Sequence, residues 1–167
     1  MTPDKEKIYE NVTQKLVKTI EKMGMEKLQR MRAKNLVLLF RDSFKLPEIK
    51  HKTFWADLGE EMYRFDYDAD GFCRASSVDF ALMMGGAPDW KLMYIDDLWT
   101  YGPHHYLFHI PSKTILDLTY DQYTHAGMGI PYYLGKPIEL EFKEQDIEGR
   151  FAKALNLTSL LNNNQKD

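Results

Sequence analysis

Cys73 is the only cysteine of the chain, and the pair His104-His105 and then Asp117 follow it in order. Together these residue types can transfer an acyl group. The thiolate, not the thiol, is the nucleophile, so such a site works by making its cysteine easy to ionise. An imidazole within hydrogen-bond reach takes the thiol proton and later returns one to a leaving amine. A carboxylate on a neighbouring strand holds the imidazole in one tautomer and stabilises its cation. Taken singly the residues mean less: a lone cysteine is most often a buried core residue, and strand histidines are mostly packed and hydrogen-bonded.

The elements that must position them can be read along the chain. "CRASSVDFALMM" (73–84) runs into Gly85-Gly86, a helix stop. Its apolar residues fall on nearly every side of a helical wheel, which predicts a central helix packed all round. Cys73 then stands in its first turn, where free N–H groups favour the thiolate and can hold an oxyanion, with Asp70 as N-cap. Ahead of it, Ile8, Val12, Leu16, Ile20 and Met23 recur at helical spacing. A second helix runs from about Met25 towards Phe40, although its end, "NLVLLF", also reads as a buried strand. "TFWADLGEEMYRF" (53–65) is a third, short helix.

Beyond Gly86 the pattern turns to strands at 90–99, 104–110, 114–120 and 138–142, with a Pro-Ser-Lys turn making a hairpin of the second and third. A helix closes the fold at 144–156, and the tail "NNNQKD" is expected to fray. The expected class is α+β, a central cysteine-bearing helix on an antiparallel sheet with helices in front. The division is an N-terminal helical segment (1–46), a catalytic domain (47–160) and a disordered tail (161–167). Strand side chains alternate, so only one of His104 and His105 can share a face with Asp117, and the hairpin register selects it. His105 has the tighter spacing to Asp117 and is preferred; His104 is the alternative. Gln122 either supports the site from behind or pins the turn after the strand.

"GFCRASSVDFALMMGG" followed by "HHYLFHI" and "TILDLTYDQY" resembles the papain-like and transglutaminase-like cysteine superfamily over about residues 70–123. In bacterial members a cysteine opens the central helix, a His-x-aromatic strand follows, and then a strand of the form Asp-x-Thr-x-x-Gln-aromatic; here it reads Asp117-Leu118-Thr119-Tyr120-Asp121-Gln122-Tyr123. Within that pattern His104 places Tyr106 at the aromatic position, whereas His105 places Leu107 there. No glutamine stands a few residues before Cys73 to complete an oxyanion hole, which favours a transglutaminase-like over a strictly papain-like arrangement. The resemblance implies a Cys-His-Asp thiol enzyme without a cofactor. It would be a peptidase or glutamine deamidase if water takes the acyl group, and a transglutaminase if an amine does. A protein or peptide is the implied substrate, and a bacterial effector the implied setting. The different-class alternative keeps the fold with a silent site and uses the basic N-terminal helices to bind a partner.

Two metal readings compete and both are weak. "DYDADG" (66–71) opens like a calcium loop, but its closing twelfth position is Ser77, not an acid. His105 and His109 would share a helix face for zinc, yet on a strand they stand roughly 13 Å apart. No metal is therefore expected, and His109 reads as a packing or surface residue. Asp121 and Asp96-Asp97 read as solvated or capping acids, the latter pair beside Trp99 as a groove rim; Trp55, Trp90 and Trp99 read as core or cleft walls.

With 44% hydrophobic and 13% aromatic residues in 167, the chain is expected to fold as one core with at most a small appendage. Residues 1–52 carry 13 Lys/Arg against 7 Asp/Glu, and residues 53–167 carry 9 against 18. A basic front on an acidic body could dock an acidic partner, though a solvated helix face is the commoner cause. Basic residues are not interleaved with aromatics in one patch, so nucleic acid is not an expected partner. No run reaches the ~20 apolar residues of a membrane span, and no secretory leader is evident. One cysteine makes no internal disulfide, which fits a cytoplasmic setting, the protein's own or that of a cell it is delivered to.

Overall fold

Apolar residues at helical spacing build the first layer. In the computed structural model, which describes residues 3–58, 68–96, 103–124 and 129–165 (backbone alone at 3, 55–58 and 162–165), Tyr9, Val12, Leu16 and Ile20 face inward from α1 (Pro3–Glu21). Tyr9 takes the place expected of Ile8, which is exposed. α2 (Lys27–Phe44) extends through "NLVLLF", so the strand alternative there is excluded, and α3 (Pro47–Leu58) starts at Pro47, earlier than expected. Proline is well suited to a first helical turn because its missing N–H would have no partner there. The rest of the 53–65 helix expectation lies outside the described residues.

α4 (Cys73–Met83) is the centre of the molecule: every residue in it except Arg74 is buried. It lies against β1 (Trp90–Ile95) and β2 (His104–His109) on one side and against α6 (Ile147–Ala154) and α7 (Thr158–Gln165) on the other. β3 (Thr114–Leu116) and β4 (Lys136–Ile138) complete an antiparallel sheet in the order β3-β2-β1-β4. The short helix α5 (Asp121–Thr124) follows β3. Among the described residues this makes an α+β chain of seven α-helices and one four-stranded sheet.

Two strands are shorter than the alternation suggested. β3 ends at Leu116, before Asp117, and "IELEF" contributes only Ile138 to β4. The tail also departs from expectation: α7 continues to Gln165, and Leu161 is wholly buried in the same apolar cluster as Tyr9. That single cluster runs from α1 to α7, so the helices of residues 1–46 share one core with the segment after them. A second, smaller cluster of Ile95, Tyr106 and Tyr123, with Met93, Ile130 and Tyr132, covers the sheet face opposite α4.

Two devices hold the site's elements. Phe72, wholly buried directly before Cys73, stacks on Phe44 (centroids 4.5 Å apart) and meets Phe54 and Phe151 edge-on or tilted at 4.8 and 5.3 Å. Gly71 makes the turn into α4 at φ +85°, a conformation open to glycine at little cost. The second device is Arg41 on α2, which is fully buried with Asp121. Its guanidinium donates to both Asp121 oxygens at 2.8 Å, to the Leu118 carbonyl at 3.1 Å, to Thr13 Oγ1 at 3.0 Å and to the Tyr9 carbonyl at 3.1 Å. The expectation that Asp121 is solvated or capping is thus corrected: it anchors the segment after β3 to α1 and α2.

α4 also carries a buried acid on its α6 side. Asp79 is fully buried and neither carboxylate oxygen has a hydrogen-bond partner. Burial, and then the charge of Glu148 on α6, push its pKa well above the ordinary value. Because the folded protein holds a proton that the unfolded chain releases, this group contributes stability that is full below its unfolded pKa of about 4 and is lost as pH rises towards the folded value. Asp79→Asn cannot ionise and is expected to remove that loss. Its denaturation midpoint should gain on the parent's between pH 5 and pH 8, whereas parallel profiles would refute the assignment.

Candidate active site

Register decides which histidine meets the carboxylate. Leu107 pairs with Leu116, so the position opposite Asp117 is Tyr106. Tyr106 shares its side of the sheet with His104, two residues away, and not with His105. The contact follows: His104 Nε2 lies 2.7 Å from Asp117 Oδ2. The preference for His105 as the partner of Asp117 is therefore corrected to His104. The hairpin spacing misled because the turn over residues 110–113 sets a register of opposite parity.

Asp117 accepts from three directions. Besides His104, the Tyr132 hydroxyl donates to Oδ2 at 2.8 Å and the Thr119 amide to Oδ1 at 3.2 Å. Burial and Asp117's charge raise the Tyr132 pKa, which keeps its hydroxyl proton in place as a donor. Tyr123 packs edge-on against the His104 ring at 5.1 Å. Tyr123 is the aromatic that closes the Asp-x-Thr-x-x-Gln-aromatic pattern, whereas nothing in the sequence pointed to Tyr132. Tyr132 stands 15 residues beyond Asp117 and reaches it only because its segment folds back over the sheet.

Cys73 begins α4, and the residue ahead of the helix is Phe72 without a side-chain cap, so Asp70 is not the N-cap. The sulfur meets the imidazole of His105, whose Nδ1 lies 3.8 Å away. His104 Nδ1 is buried and makes no hydrogen bond, while the electrostatics of its ring act on the thiol. Burial alone would push the Cys73 thiol up; the two imidazoles, His104 more than His105, bring it down to about 6. Burial would likewise depress His104, but Asp117's charge and hydrogen bond, with a further contribution from Cys73, raise it to about 10. Between those values the arrangement favours a thiolate beside an imidazolium, which is a nucleophile already separated from its proton.

His105, the next residue of the strand, lies on the other face of the sheet. It packs on Tyr94, centroids 5.1 Å apart, and its Nε2 lies 3.5 Å from an Arg74 nitrogen. Arg74 Nε is in turn 3.5 Å from buried Glu148. Gln122 is not brought to these groups: its Oε1 is buried without a hydrogen-bond partner, and its backbone N–H closes a turn onto Thr119. His109 is a packing residue, tilted against Trp90 with ring centroids 4.5 Å apart and bonded to Ser112 at 2.7 Å. The calcium-loop reading meets Asp68–Gly71 as a turn and Ser77 inside α4, its first two residues lying outside the described residues. Asp97, Trp99 and the Trp55 side chain also lie outside them, while Asp96 is exposed at the end of β1.

No protein-family model, curated protein or solved structure matches the chain. Among the described residues no helix is long and apolar enough to cross a membrane.

Proposed function

We propose that this chain is a thiol-dependent acyl-transfer enzyme of the papain/transglutaminase-like kind, acting on an amide of a protein or peptide. The observation that carries the reading is His104, held by Asp117 at 2.7 Å on one ring nitrogen while its other nitrogen is buried and bonded to nothing, in a ring whose electrostatics lower the Cys73 thiol. In this mechanism the Cys73 thiolate attacks the amide carbon and the C=O electron pair moves onto oxygen. Collapse of that intermediate expels the amine, which takes its proton from the His104 imidazolium. His104 then accepts a proton from the incoming water or amine, and the thioester is released as acid or new amide. Asp117, supported by Tyr132, keeps the ring oriented and its cation favourable throughout.

Thiol reactivity tests this directly. Alkylation of Cys73 by iodoacetamide, followed as intact mass against pH, is expected to have a midpoint near 6. An ordinary midpoint near ~8.5 would leave only an interaction module on this fold. Turnover should rise through that lower value and fall as His104 loses its proton near 10, because the protonated ring must serve the leaving group. Cys73→Ala should abolish turnover and leave cooperative unfolding unchanged. Mass spectrometry of a candidate protein after incubation separates peptide cleavage, a deamidated glutamine and an amine adduct.

A further inference from the structure

Mechanism and geometry leave one group beside the sulfur without a task. His104 is committed: one nitrogen holds Asp117, and the other must move the proton. His105 is not committed, yet its Nδ1 lies 3.8 Å from the Cys73 sulfur. A guanidinium has donors and no acceptor. The Arg74 nitrogen 3.5 Å from His105 Nε2 is therefore the donor, Nε2 is the acceptor, and the ring hydrogen sits on Nδ1, facing the sulfur. Three neighbours keep that orientation: Arg74, Glu148 behind Arg74, and the Tyr94 ring packed at a tilt against the imidazole. An N–H held in place and aimed beside a nucleophile is the equipment of an oxyanion hole, and no glutamine stands a few residues before Cys73 to provide it.

We propose that His105 is the side-chain donor of the oxyanion hole, acting with the Cys73 backbone N–H at the start of α4. This rests on the acyl-transfer reading above and adds a residue to it. In the resting enzyme the Nδ1–H faces the thiolate. When the sulfur bonds to the acyl carbon, the negative charge leaves sulfur for the former carbonyl oxygen, and the same N–H meets it there. A donor 3.8 Å from the sulfur is suitably placed for an oxygen on the attacked carbon, to which hydrogen bonds of about 3 Å are required. The first N–H groups of a helix have no carbonyl one turn back to bond, which leaves that of Cys73 for the same oxygen. As the C=O bond re-forms and the leaving group departs, the charge on oxygen is discharged and the donor returns to its first role. His105 neither gains nor loses a proton.

Two reagents separate this from the underlying reading. Iodoacetamide alkylates the thiolate without forming an oxyanion, whereas p-nitrophenyl acetate acylates it through one. Both rates are measured on Cys73 at pH 8 for the parent, His105→Phe and His105→Gln. Phenylalanine keeps a ring against Tyr94 but donates nothing; the glutamine amide restores a donor. The ratio of acylation to alkylation is expected to fall about tenfold or more in His105→Phe, a fraction of the ~10²–10³ known for one lost donor on amides because the ester is activated. His105→Gln should recover most of it. A ratio in His105→Phe within about threefold of the parent's, with both rates lowered together, would mean that His105 merely steadies the thiolate and would overturn the proposal. A parent protein that is not acylated at Cys73 and alkylates with an ordinary midpoint would overturn the acyl-transfer reading itself.

Discussion

Replacing His104 by glutamine is expected to cost more activity than any change at His105. The thiol is buried, and burial is the largest influence on it, acting against ionisation. Without the Asp117-backed imidazole its pKa should return at least to the ordinary ~8.5, so the thiolate fraction at pH 7 falls from about nine-tenths to a few per cent. Iodoacetamide alkylation at pH 7 should then slow by about 30-fold or more. Turnover of p-nitrophenyl acetate should fall further, by about 10²–10⁴ beyond the loss of thiolate, because no group protonates or deprotonates in step with the acyl transfer. The alkylation midpoint separates two causes. A variant that keeps its midpoint near 6 while losing turnover would show that His105 ionises the thiol and that His104 has been misassigned. Asp117→Asn should move the same midpoint upward by a smaller amount, since the ring remains but its cation loses the carboxylate.

Arg41→Met should be the most destabilising change in the N-terminal helices. Arg41 and Asp121 are both without solvent exposure, and the guanidinium also satisfies two backbone carbonyls and a hydroxyl. Removing it takes the guanidinium away from a fully buried carboxylate, for which about 3–5 kcal/mol of lost stability is expected. For a chain of this size that corresponds to a fall in melting temperature of roughly 10 °C or more. Arg41→Met combined with Asp121→Leu should recover much of the loss, because the penalty comes from the stranded carboxylate more than from the missing pair. A single-variant cost below about 1 kcal/mol in denaturant unfolding would contradict the buried network. The same change should slow acylation, since the Leu118 carbonyl that Arg41 holds is next in the chain to Asp117.

Why Arg41 escaped a sequence reading is instructive. In composition it belongs to a basic segment, and basic helical residues mostly face solvent. Nothing within 20 positions of it hints at Asp121, its partner 80 residues away. Asp121 itself sits in "LTYDQY", where a polar run after a strand ordinarily means a solvated turn. The Asp79–Glu148 proximity was hidden for the same reason, as was the reach of Tyr132 to Asp117. Each is a contact across sequence distance, made by packing and announced by no local pattern.

Cys73 as the start of a helix apolar on all sides, the hairpin behind His104-His105, and the α+β order of elements could be read directly, because hydrophobic periodicity and glycine stops are local consequences of backbone geometry. The choice between two adjacent histidines could not. It depended on strand register, where a shift of one residue moves every side chain to the opposite face, and register was set by a turn and by two apolar clusters on the two faces of the sheet. Sequence supplied the chemical groups; only the folded sheet assigned His104 to Asp117 and left His105, with Arg74 behind it, beside the sulfur.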